Sequence, residues 1–190
     1  MLHEFLEQPQ LRQSLPPCSN ERYAGCAVTA CAHVVLPIWD VFCPRDDDFG
    51  LTVAAMDRWV VSPCVQSVAD VAACLRKIGK IKEPDTRPYL SMPLSDWWPP
   101  WPQPNIKTRP GEHAGDAIVA AANSLCVIGT DEQWECTWNC LEAAIVAVAY
   151  HMGDRLHEDT EEPVMELATA QLRDDMVRRM QAMKGQSTQW

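Results

Sequence analysis

Ser19-Asn20-Glu21-Arg22-Tyr23-Ala24-Gly25-Cys26-Ala27-Val28-Thr29-Ala30-Cys31-Ala32-His33-Val34-Val35-Leu36-Pro37-Ile38-Trp39-Asp40-Val41-Phe42 is the stretch that decides the fold class. Tyr23, Ala27, Ala30, Val34, Ile38 and Phe42 recur three or four residues apart, which is the period of one helix face and not of a strand. Ser19 or Asn20 supplies an N-cap, because a short side-chain oxygen can accept from the amides that the first helical turn leaves unpaired. Pro37 sits inside the pattern. It lacks an N–H and crowds the preceding turn, so the sequence predicts a kink or break near Val34–Pro37.

The same period continues on both sides. Residues 2–14 read as a short first helix ending before Pro16-Pro17. Asp48 is placed to cap a helix with Leu51, Ala55 and Trp59 on one face. Ser62-Pro63 then reads as an N-cap and first helical position for a helix carrying Val65, Val68, Ala72 and Leu75. Gly79 is its expected stop. After residue 111 the period returns. Thr130-Asp131-Glu132-Gln133 predicts a capping box. Behind it Trp134, Trp138, Leu141, Ile145, Val148 and Met152 share so wide an apolar arc with Cys136, Cys140, Ala144 and Ala147 that a central helix is expected. A last helix carries Met165, Ala168, Leu172, Met176, Met180 and Met183, with Gly185 closing it.

Between the blocks the composition changes. Eight of the fifteen prolines fall from Pro84 to Pro110, beside Trp97-Trp98-Pro99-Pro100-Trp101-Pro102, which excludes a helix or an inner strand there. Three tryptophans favour packing over free solvation. The expectation is therefore an all-α chain: one domain over residues 1–190, a bundle of about six helices with helical blocks at 19–79 and 111–184 joined by a Pro/Trp-rich connector at 80–110. A chain of 190 residues buries about 70% of its unfolded surface, enough for a core without metals or disulfides.

The net charge of −10 argues against nucleic acid or an anionic membrane as the main partner, since both select basic surfaces. The N-terminus has no basic and apolar signal-peptide pattern. The best apolar run, Ala143 to Tyr150, falls short of the roughly 18–20 residues of a span, so a cytoplasmic location is expected. Nine cysteines, odd in number and without a C-x-x-C pair, read as reduced core thiols.

No P-loop, dinucleotide turn, G-x-S-x-G or H-E-x-x-H occurs, and no catalytic residue, metal or cofactor is assigned. His113, His151 and His157 would have to converge to make a metal site, and no i, i+4 ligand pair is present. Cys136 and Cys140 share a helix face but lack the basic neighbours that a reactive thiol needs. The candidate binding residues are the acidic Asp46, Asp47 and Asp48, the acidic Glu158, Asp159, Glu161 and Glu162, and the aromatic Trp97, Trp98 and Trp101. Acidic runs at helix starts are well explained by capping and the helix dipole, and an acidic rim would also steer a basic partner.

The run Cys26-Ala-Val-Thr-Ala-Cys31-Ala-His-Val-Val-Leu36-Pro37-Ile38-Trp39-Asp40, the acidic turn Pro44-Arg-Asp-Asp47 and the helix Ala54-Ala-Met-Asp-Arg58-Trp59 together resemble a helical immunity-protein family of bacterial polymorphic-toxin systems. The core of the likeness is C-A-x-x-V-L-P-[IL]-[FW]-[DE], over about 40 residues. Phe49-Gly50 stand where that family usually has a proline and a basic residue, and segment 89–104 has no counterpart in it. The resemblance implies a cytoplasmic antidote, not an enzyme, whose partner is a cognate toxin protein. An acidic antidote would suit a basic toxin. Two other readings stay open: a helical adaptor with an unrelated protein partner, and a metal-dependent enzyme.

Overall fold

The structure, a computed structural model, describes residues 2–44, 47–78, 109–152 and 161–186. Among these residues the chain is all-helical. The helices are α1 (Leu2–Leu6), α2 (Pro9–Arg12), α3 (Asn20–Phe42), α4 (Asp48–Val61), α5 (Val65–Lys77), α6 (Arg109–Cys126), α7 (Asp131–Met152) and α8 (Glu161–Lys184). Six are long. The expected helix over 2–14 is instead two short pieces, because Pro9 can open a helix but cannot continue one.

Helix α3 starts as expected. Ser19 is its N-cap, and its hydroxyl accepts from the Arg22 amide at 3.2 Å. Of the kink or break expected near Val34–Pro37, the break does not occur, and α3 runs on to Phe42 with Pro37 inside it. Position 37 lies one turn from the helix end, so few bonds depend on it. Val35 and Ile38 are buried and Trp39 packs on Phe49, with ring centroids 4.2 Å apart, holding the last turns against the core. By length and composition α3 could also cross a membrane, which makes it a longer apolar run than Ala143–Tyr150. Here much of it is covered by other helices.

Three further local expectations change. The N-cap of α5 is Cys64, not Ser62: its thiol accepts from the Ser67 amide and the Ser67 hydroxyl accepts from the Cys64 amide, a reciprocal box two residues later than Ser62-Pro63 suggests. At the start of α7, Gln133 reaches past Thr130. Its carbonyl oxygen accepts from Gly129 N–H at 2.9 Å, and its amide donates to the Glu21 carbonyl at 3.0 Å. A buried glutamine thus ties the start of α7 to the start of α3 and does not close the predicted box. The connector also ends earlier than 110, because α6 begins at Arg109.

Helices from both blocks share one hydrophobic core. Helix α3 packs on α4, α6, α7 and α8, while α6 packs on α3, α4, α5 and α7. The expected central helix α7 therefore shares the centre with α3 and α6. Small residues allow this closeness. A Cβ on Gly25 would lie 2.6 Å from Trp59 Cζ3, and one on Gly115 would lie 2.8 Å from Trp39 Cζ3. Helix α8 follows its expected stripe: Ala168, Leu172, Met176, Met180 and Met183 are buried and Met165 is half-buried.

Candidate partner-binding surface

The residues that carry the resemblance fall into two groups. Cys26, Ala27, Cys31, Val35 and Ile38 are buried in the core. Trp39 fills the gap left by Gly115, and Trp59 fills the one left by Gly25. Arg22 sits with its guanidinium 5.0 Å from the Trp59 ring and donates to the Trp59 and Val60 carbonyls, so it caps the C-terminal end of α4. Most of the motif is therefore packing. Pro37 and Asp40 are exposed, and burial does not explain them.

Among the described residues six large apolar side chains are exposed, and four of them (Val41, Leu51, Val61 and Val65) lie between positions 41 and 65. Two of these correct the expected faces. Leu51 is 51% exposed while Ala55 and Trp59 are buried, and Val65 is 87% exposed while Leu75 is buried. The outward stripe of α4 is Asp47, Leu51, Ala54, Arg58 and Val61, at helical spacing from the N-cap onward. The outward stripe at the end of α3 is His33, Pro37, Asp40 and Val41. His33 Nε2 lies 2.7 Å from Asp57 Oδ1 and ties α3 to α4 across the hairpin.

The carboxylates on this side differ in what they already hold. Asp48 pairs with Lys77, Asp57 with His33, and Asp70 lies 4.0 Å from Arg58. Asp40 and Asp47 are exposed and have no basic partner among the described residues. Of the acidic residues singled out from sequence, Asp47 is the N-cap of α4 without a side-chain cap bond, and Asp48 is its first helical residue. Glu161 and Glu162 open α8. Asp46, Glu158, Asp159, Trp97, Trp98 and Trp101 lie outside the described residues. The two acidic helix starts belong to helices that pack mainly on different neighbours, α4 on α3, α5 and α6, and α8 on α2, α3 and α7.

The thiols divide by burial. Burial pushes Cys26 and Cys136 up to about 12 and Cys126 up to about 11, and it raises fully covered Cys140 as well. Such thiols stay protonated and behave as small apolar side chains. Cys64 is exposed, and the Ser67 amide and hydroxyl lower its pKa. His113 is buried and stacks on Tyr150 at 5.7 Å, while His151 is exposed and His157 is outside the described residues. Among the described residues no group of three or more His, Cys, Asp or Glu is arranged to hold a metal ion.

Sequence reasoning missed Asp40, Val41, Val61 and Val65 as surface candidates. Position 40 ends the likeness motif, which was the available signal for it. Nothing in the spacing marked the valines as displayed. Comparison with protein-family models, curated proteins and solved structures finds no match to this chain.

Proposed function

We propose that this chain is a non-catalytic, partner-binding protein of the immunity type, which neutralises a cognate toxin by covering it. The observation that carries the reading is the concentration of exposed apolar side chains on the α3–α5 side of the bundle. Val41 and Leu51 lie there within about one helical turn of the exposed carboxylates Asp40 and Asp47, and Val61 and Val65 follow at the far end of α4 and the start of α5. Displayed apolar side chains with polar residues around them make a protein-binding surface, since water is released on contact and the charges set which partner docks. The likeness over Cys26–Asp40, Pro44–Asp47 and Ala54–Trp59 supports the same reading, and a cytoplasmic location would go with it.

The test is co-expression with the product of the adjacent reading frame, followed by pull-down and a growth assay. A stable complex together with restored growth supports an antidote. Absence of both would replace this reading with that of a helical adaptor serving an unrelated partner.

A further inference from the structure

We draw no further inference here: the strongest candidate, the exposed α4–α5 turn carrying Val61, Cys64 and Val65, belongs to the surface already described, and nothing in the structure shows what covers it.

Discussion

The two halves of α3 have similar apolar character and opposite surroundings. From Tyr23 to Ala32 every residue is buried. From His33 to Phe42 only Val35 and Ile38 are, and Pro37, Asp40 and Val41 face outward. The first half has Gly25 to admit Trp59, and Cys and Ala side chains small enough for α6 and α7 to approach closely. The second half carries larger side chains and leaves one face uncovered. Composition therefore does not separate a core segment from a displayed one. Side-chain size and the neighbours it admits do, and the functional proposal sits on the half where admission stops.

The largest way to break this contrast is at Trp59. Its ring is buried against Gly25 and under the Arg22 guanidinium. Trp59→Ala is expected to cost about 3–5 kcal/mol in urea unfolding, the usual range for emptying an aromatic site in a core. A loss below about 1 kcal/mol would mean that the first half of α3 is not tightly packed.

Next come two glycines with the same substitution and opposite signs. Gly25→Ala places a methyl 2.6 Å from Trp59 Cζ3 and 2.9 Å from Leu125 Cδ2. Overpacking outweighs the better helix propensity of alanine, and a loss of about 2 kcal/mol is expected. Gly50→Ala meets nothing within 4 Å, and a gain of about 0.5 kcal/mol is expected from the stiffer unfolded chain. Melting temperatures moving in the same direction for both would contradict the packing described for α3 and α4.

The buried thiols sharpen the comparison through pH. Cys26, Cys126 and Cys136 have pKa values raised by burial from 9.0 to about 12, 11 and 12. An unfolded thiol loses its proton near 9, whereas these hold theirs until 11–12. The native state therefore binds more protons in that window. The stability they contribute is complete below pH 9 and is lost as pH rises towards 11–12, at roughly 1.4 kcal/mol for each thiol per pH unit. Urea midpoints under reducing conditions should fall between pH 8 and pH 10. A midpoint that does not move would show the thiols to be wet. Exposed Cys64, whose pKa is lowered, should be the first to react with a thiol reagent in the native protein.

Much of the fold is legible in the sequence because helical period and caps are local. Ser19 caps α3 as its chemistry requires, and the methionine stripe of α8 faces inward as spaced. What is not legible depends on the neighbours. Gln133 abandons a local box because the Glu21 carbonyl of another helix is within reach. Leu51 and Val65 have spacing that suits a buried face and are exposed, with no helix over them among the described residues. For the candidate surface, Asp47 and Asp48 are found from sequence, but only the structure shows that Asp48 is engaged by Lys77. Asp40 needed the knowledge that the rest of its motif is consumed by packing.

Pro37 gives the smallest and most specific test. Helix α3 continues through it, so the chain carries a missing hydrogen bond to the His33 carbonyl and a crowded turn, within a helix whose last residues are held by Val35, Ile38 and Trp39. Proline is exposed here, and alanine would lose little contact while restoring the amide. Against that, proline restricts the unfolded chain, which offsets part of the gain. Pro37→Ala is expected to stabilise by about 1 kcal/mol in thermal or urea unfolding. A destabilised variant would mean that the proline ring makes contacts the protein depends on, and the outward half of α3 would then be more like its inward half than the exposure pattern says.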